Sequence, residues 1–403
     1  MPTADELLGV DVLARMIGVL ERVLPGHPLA ALRASAGELA PLALRQRSDL
    51  LKDALLADLP GTAAELDEIV RAALTDARFT GWMIWPVSEA VTARALEGGG
   101  RGVGVGPGAG VNVEADTDAD ARFVADFDAA LALLAELTPR LTGEFAIRPL
   151  LQADLGRALP IILTWTTNPD PHVRRLASEG TRAFLPWAKR VPALLAEPRA
   201  TLPIIDALYR DESEYVRRSV ANHLNDLSRQ SPDLAAAVAG EWMLAADSNT
   251  AQVVRHGLRS LVKKGHGPTL ALFGYAVEHG VTVTGPTLSG PPLSSDASRA
   301  AGLVEVAVGG ELPFTVTLEN TADAPATLVI DYVVHHRKAN GSQTAKVFKL
   351  ATTTLRPGQT LTYTRRHSFK RITTRVYHPG EHAIEVQVNG VPSGRTPFLL
   401  VAD

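Results

Sequence analysis

Cysteine is absent from all 403 residues, which excludes disulfides, thiol catalysis and any thiolate-bound zinc. No apolar run approaches the ~20 residues that span a bilayer, so no membrane association is expected. The N-terminus, MPTADELLGV, is acidic and lacks the basic stretch of an export signal. A cytoplasmic protein is expected. No His-x-Asp with a distant His is placed on strands for iron, which excludes an oxidative demethylase. The fragment GGGRGVG (98–104) has neither a preceding strand nor a G-K-[ST] ending, so it is not a phosphate loop. Nothing points to a metal or an organic cofactor, and none is expected.

What is present suits a two-domain globular chain, with 46% hydrophobic and 21% charged residues. The net charge of −4 is unevenly spread. Residues 1–143 carry 12 Lys/Arg against 21 Asp/Glu, residues 144–275 carry 16 against 13, and residues 276–403 carry 12 against 10. The acidic first third and mildly basic remainder leave room for a local basic face; ordinary charge scatter is the alternative.

Apolar residues recur at three- and four-residue spacing from Asp5 to about Leu96, broken by Pro25-Gly26 and Pro60-Gly61, which predicts short-linked antiparallel helices. A Gly-rich stretch over 97–121 reads as a flexible insertion. Helical patterning resumes at Phe123 and runs to about His279, and inside it a Val-Arg pair recurs at 173–174, 216–217 and 254–255. Spacings of 43 and 38 residues match two-helix HEAT-like repeats. Each pair follows an Asp-containing segment (NPDPHVRR, RDESEYVRR, ADSNTAQVVRH) expected to turn the chain and cap the next helix. Val216, Val220 and Leu224 form an apolar stripe, and Arg218, Asn222 and Asp226 a polar one on another face.

Residues 281–300 read as a Pro/Gly/Ser-rich linker. Beyond it, short alternating segments separated by Asn340-Gly341, Pro357-Gly358, Pro379-Gly380 and Asn389-Gly390 predict about seven strands of an immunoglobulin-like sandwich without a disulfide. The expected fold is therefore mainly α: an α-solenoid of HEAT-like repeats over 1–285, then an all-β immunoglobulin-like sandwich over 286–403. HHRK (335–338) places adjacent His on opposite faces of a strand, which argues against a metal site and for surface.

The words GEFAIRPLL (143–151), WTTNPDPHVRRLASEGTRAFLPWA (165–188), DESEYVRRSVANHLNDLS (211–228) and SFKRITTRVYHPGEH (368–382) resemble those of HEAT-like-repeat DNA alkylation repair glycosylases, in the AlkC branch that carries a C-terminal immunoglobulin-like domain. The resemblance covers most of 123–403; the Gly-rich insertion departs from it. It implies excision of cationic N-alkylated bases, namely N3-methylcytosine, N1-methyladenine and N3-methyladenine, from alkylated double-stranded DNA. Asp226, Glu144 and Trp187 match the family's catalytic positions in context.

Those residue types suit the chemistry. A base with a fixed positive charge leaves without protonation, and carboxylates stabilise the oxocarbenium character left on the sugar or orient the attacking water. Asp226 takes the principal role and Glu144 the second. The Trp187 face would attract the cation, worth roughly 0.5–2 kcal/mol. Each residue also has a plainer reading: Glu144 as a helix-start carboxylate, Trp187 as packing, Asp226 as a solvated partner of Arg218, Arg229 or His223. Arg175, Arg218, Arg255 and Arg259 are candidates for a phosphate track along the repeats. The first Arg of each pair instead suits a salt bridge to its own turn Asp. In the sandwich Lys370, Arg371 and Arg375 are the DNA-binding candidates that the resemblance implies. Lys189 is the lysine nearest the site, without a clear Schiff-base setting, so a monofunctional glycosylase is expected, as a monomer associated with the bacterial nucleoid. The alternative is a non-enzymatic repeat scaffold that binds protein or DNA.

Overall fold

The computed structural model describes residues 3–97, 117–277, 280–290, 303–372 and 375–402. The flexible insertion expected over 97–121 falls mostly outside these residues, as does the linker expected over 291–300. Six helices come first: α1 (Ala4–Leu8), α2 (Val10–Val23), α3 (Ala30–Ser35), α4 (Leu44–Asp58), α5 (Ala63–Leu74) and α6 (Ile84–Leu96). Then follow α7 (Thr117–Leu137), α8 (Ile147–Ala153), α9 (Leu155–Thr164), α10 (Pro171–Gly180), α11 (Pro192–Ala196), α12 (Leu202–Leu208) and α13 (Glu214–Gln230). The last are α14 (Pro232–Leu244), α15 (Thr250–Gly257), α16 (Arg259–Lys263) and α17 (Gly267–Leu272). Two compact units result, one of Met1–Ser231 with Glu241–Gly257, the other of Pro232–Gly240 with Leu258–Asp403.

In the first unit the Val-Arg repeat falls on α10, α13 and α15, and α13 packs between the other two. Val216, Val220 and Leu224 are fully buried, as their spacing requires. Gly257 lets α15 approach closely, since a Cβ there would lie 2.6 Å from Leu224 Cδ2. The Asp-containing turns act in different ways. Asp170 caps α10 by accepting the His172 N–H at 2.7 Å, with Pro171 in the first turn. Before α13, Ser213 makes no side-chain cap, and Asp211 takes the Ser213 N–H at 2.8 Å. Before α15, Asp247 accepts from Asn249 and Thr250 at 2.9 and 2.8 Å.

Arg174 links two of these turns. It forms a bidentate pair with Asp211, Nε–Oδ2 2.6 Å and Nη2–Oδ1 3.1 Å, and donates to the carbonyls of Asn168 and Pro169. The bridge therefore runs from one repeat to the turn of the next, not within a repeat. Arg217 donates to the carbonyls of Asp211 and Glu212 at 2.6 and 2.8 Å, closing the same turn through backbone oxygens.

The second unit contains the sandwich: β1 (Val281–Leu288), β2 (Val304–Ala307), β3 (Glu311–Asn320), β4 (Ala326–Arg337), β5 (Gln343–Leu355), β6 (Thr360–Ser368), β7 (Gly380–Val388), β8 (Val391–Pro392) and β9 (Thr396–Val401). One sheet has the order β1-β3-β6, the other β2-β9-β7-β4-β5 with β8 on β7. Leu312, Phe314, Val316 and Leu318 of β3 pack with Leu328, Ile330, Tyr332 and Val334 of β4 in the core, each such burial contributing roughly 1.5–3 kcal/mol. Asn389 and Gly390 both adopt positive φ, 47° and 78°, as a tight β7–β8 turn demands.

Two expectations change here. Residues 281–288, read as linker, form strand β1, paired antiparallel with β3 from Val281↔Asn320 to Leu288↔Phe314; the alternating V-T-V-T pattern prevails over the Gly-Pro pair, which sits at a register shift between Thr284 and Thr287. The boundary expected at 285/286 falls inside this strand. His335 and His336, read as surface, are buried: His335 bonds Glu385 of β7 at 2.8 Å, and His336 packs among the rings of His367, Phe369, Tyr377 and His382. Among the described residues no helix is long and apolar enough to cross a membrane.

The side chains of Arg174 and Asp211 are 8% and 5% exposed, so Arg174→Ala strands a buried carboxylate and should destabilise the helical unit by roughly 3–5 kcal/mol. Arg218, paired with Glu214 but 67% exposed, should be replaceable by Ala without measurable loss. Urea unfolding followed by circular dichroism compares them; equal effects would refute the inter-repeat role of Arg174.

Candidate active site

The site is built on the last turn of α10 and the 181–191 segment that follows it. Arg175, Glu179 and Arg182 are spaced by four and three residues and so line one side. Arg175 Nη1 lies 2.5 Å from Glu144 Oε2 and 2.9 Å from Thr142 Oγ1, and the Thr142 hydroxyl also donates to Glu144 at 3.0 Å. Arg175 Nη2 reaches Glu179 Oε1 at 3.6 Å, and the same oxygen meets Arg182 Nη1 at 2.5 Å. Arg182 Nε then donates to Asp226 Oδ2 at 2.9 Å. The result is one chain of alternating charge: Glu144, Arg175, Glu179, Arg182, Asp226. From α13, the Ser219 hydroxyl donates to Glu179 Oε2 at 2.7 Å.

Burial lowers the proton affinity of Arg182, but its hydrogen bond to Asp226 and the charges of Glu179 and Asp226 outweigh burial and raise its pKa. Asp226 is 2% exposed, and its partner is Arg182, not Arg218, Arg229 or His223 on a solvated face. The same Asp226 oxygen accepts the Phe184 backbone N–H at 3.2 Å. Thus the carboxylate fixes the start of the 181–191 segment. Arg148, buried on α8, fixes its two ends by donating to the carbonyls of Gly180, Arg182 and Lys189 at 3.2, 2.9 and 2.7 Å. Burial and the nearby Arg190 charge lower its pKa to about 10, which leaves it cationic at neutral pH.

Trp187 projects from this braced segment with a left-handed φ of 58° and 97% exposure. It is not packing. With Phe145, Arg148 and Lys189 it lines a cleft of about 580 Å³. The strained backbone, of order 1–3 kcal/mol for a non-Gly residue, is held by the Arg148 and Asp226 bonds on either side.

Glu144, Asp226 and the Trp187 segment are therefore joined through Arg175, Glu179 and Arg182. Arg175, expected on a phosphate track, has its guanidinium engaged inside this network and over the Tyr215 ring, 5.4 Å from its centroid. Arg218 and Arg255 are exposed on α13 and α15, and Arg259 opens α16. Lys370 and Arg371 are exposed between β6 and β7, and Arg375 bonds to His336 at 2.9 Å. Glu179, Arg182 and Arg148 were missed by the sequence reading. The spacing RLASEGTR (175–182) was the available signal for the first two; Arg148 lies in the word GEFAIRPLL, where no spacing assigns it a partner.

Residues 144–259 match the family described as DNA alkylation repair enzyme, and residues 299–402 match the C-terminal Ig-like domain of the uncharacterised protein YhaZ. The uncharacterized protein YhaZ of Bacillus subtilis (strain 168) is 38% identical over 267 residues, covering 66% of this chain and 70% of that protein. The structure of the Pseudomonas fluorescens alkylpurine DNA glycosylase AlkC, bound to DNA containing an abasic site analog, is similar over 100% of both chains with a TM-score of 0.80 and 30% identity.

His223, fully buried beside Asp226 on α13, is bonded to the Ser178 carbonyl at 3.0 Å and to Thr201 Oγ1 at 2.9 Å. Burial lowers its pKa to about 4, whereas an unfolded histidine protonates near ~6.5. Between those values the unfolded chain binds more protons. Stability of the helical unit should therefore be full above about pH 6.5 and decline towards pH 4, by at most ~1.4 kcal/mol per pH unit for this group. Urea unfolding at pH 7 and pH 5 measures the loss; His223→Gln should flatten the slope, and an unchanged slope would refute the assignment.

Proposed function

The chain belongs to the DNA alkylation repair enzyme family, in its AlkC-like branch, and on that premise we propose that it hydrolyses the N-glycosidic bond of cationic N-alkylated bases in double-stranded DNA. N3-methylcytosine, N1-methyladenine and N3-methyladenine are the substrates. The observation that carries this reading is the coupling of an open indole face to a buried carboxylate. Trp187 is 97% exposed on a segment whose Phe184 N–H is held by Asp226 itself.

In this reading Trp187 meets the positive charge of the damaged base. Its quadrupole favours a cation over a neutral base by roughly 0.5–2 kcal/mol. The alkylated base departs as a neutral molecule, taking the bonding electrons with it, so no acid is needed. Asp226 stabilises the positive charge that develops on the deoxyribose and orients the water that attacks C1′. Its bonds to Arg182 and Phe184 fix the carboxylate before substrate arrives. Glu144, held by Arg175 and Thr142, is the second carboxylate facing the reacting sugar. Arg218, Arg255, Arg259, Lys370, Arg371 and Arg375 hold phosphates. The protein acts as a monomer in the cytoplasm, at the nucleoid. Lys189 does not attack C1′, so the product is an uncut abasic site.

The test is release of free base from duplexes carrying N3-methylcytosine, N1-methyladenine or N3-methyladenine, together with alkali-labile abasic sites. Asp226→Asn should lower the single-turnover rate by about 10²–10³, and Trp187→Ala should lower kcat/KM by about tenfold on cationic lesions. Borohydride should trap no protein–DNA adduct. If the wild type released none of the three bases, a binding scaffold would become the better reading.

A further inference from the structure

The segment that carries Lys370, Arg371 and Arg375, between β6 and β7, is bonded to two buried imidazoles of the sandwich. His336 of β4 lies among the rings of Tyr377, His367, His382 and Phe369, at centroid distances of 5.7, 5.9, 5.9 and 6.1 Å. Its Nε2 is 2.9 Å from Arg375 Nη1. A guanidinium has only donors, so Nε2 supplies a lone pair and the ring proton sits on Nδ1. That Nδ1 is buried without a hydrogen-bond partner. A phenyl ring would fill this aromatic pocket without leaving a donor unsatisfied; what the imidazole adds is the bond to Arg375. His382 works in parallel, with Nε2 bonded to the His378 carbonyl at 3.0 Å and Nδ1 accepting the Arg337 N–H at 3.3 Å.

We propose that His336 positions the Arg375 guanidinium for a DNA phosphate by accepting one of its N–H bonds, leaving the others directed to the duplex. This rests on the glycosylase reading above, with the sandwich as a DNA grip. Arg375 is partly exposed, its guanidinium 5.9 Å from the Tyr377 ring centroid, and Lys370 and Arg371 are exposed in the same stretch. Burial and the Arg375 charge lower the pKa of His336 to about 3, so it remains an acceptor throughout the neutral range. His336 touches no reacting atom. It is a positioning residue.

The experiment measures the affinity of the full chain for an abasic-site duplex from low to moderate salt, for the wild type, R375A, H336F, the double variant and H336Q. R375A should weaken binding and reduce the slope of log affinity against log salt by about 0.9, the signature of one lost phosphate contact. H336F should weaken binding roughly fivefold in the wild-type background and not at all in the R375A background. H336Q, which retains an acceptor, should recover most of the loss. Thermal unfolding of each variant separates these effects from loss of fold. Equal weakening by H336F in both backgrounds, or none where R375A weakens binding, would overturn the positioning role. If R375A itself bound normally, the phosphate contact and the positioning role would both fail, while base release by the wild type would still report on the glycosylase reading.

Discussion

A carboxylate at 2% exposure is tolerated only when a cation and further hydrogen bonds compensate it, and Arg182 meets that requirement for Asp226. Much of the candidate site depends on this pair. Arg182 is reached from α10 only because the helix ends at Gly180, whose missing Cβ would lie 3.0 Å from Ile147 Cγ2. That close approach brings α8 up to the end of α10, so that Arg148 can bond the carbonyls of Gly180 and Arg182. With both ends of the 181–191 segment held, Trp187 can be presented to solvent in a left-handed conformation that a loose loop would relax.

The repeat helices were legible because their signals are periodic and local. Val216, Val220 and Leu224 recur every four residues, and burial follows from that spacing alone. The hairpin turns were equally legible, since Asn389-Gly390 specifies positive φ without reference to anything distant. Partners far apart in sequence were not. Asp226 had two arginines and a histidine within reach along its own helix, yet it pairs with an arginine 44 residues earlier. Arg174 pairs across 37 residues, with the turn of the following repeat instead of its own. A repeat fold brings equivalent positions of successive units together, so these partners stand about one repeat apart in sequence and not along a single helix.

The histidines show the same limit in the sandwich. On a strand, adjacent residues point to opposite faces, and that much held for His335 and His336. Whether each face is covered depends on what packs over the sheet from elsewhere in the chain, which alternation does not encode. His335 turns to Glu385 of the adjacent strand β7 at 2.8 Å, and His336 to the aromatic core. The misread linker has a related cause: β1 gains its hydrogen bonds from β3, about thirty residues later, and its Gly and Pro content concealed the alternation.

Charge balance connects the network to its proposed substrate. Three carboxylates, Glu144, Glu179 and Asp226, are paired with two guanidiniums, Arg175 and Arg182, and the charges of Arg148 and Arg190 lie close by, so the carboxylates are compensated. An uncompensated group of carboxylates would repel the phosphates on either side of a lesion. In the proposed reaction, compensation removes that repulsion while leaving a localised carboxylate, held in one orientation by Arg182 and the Phe184 N–H, to act on the sugar. Selectivity then need not come from a net negative pocket. In the proposed reaction it comes from the substrate, because an alkylated base would bring a fixed cation to the Trp187 face and is already a leaving group, whereas a normal base offers neither property.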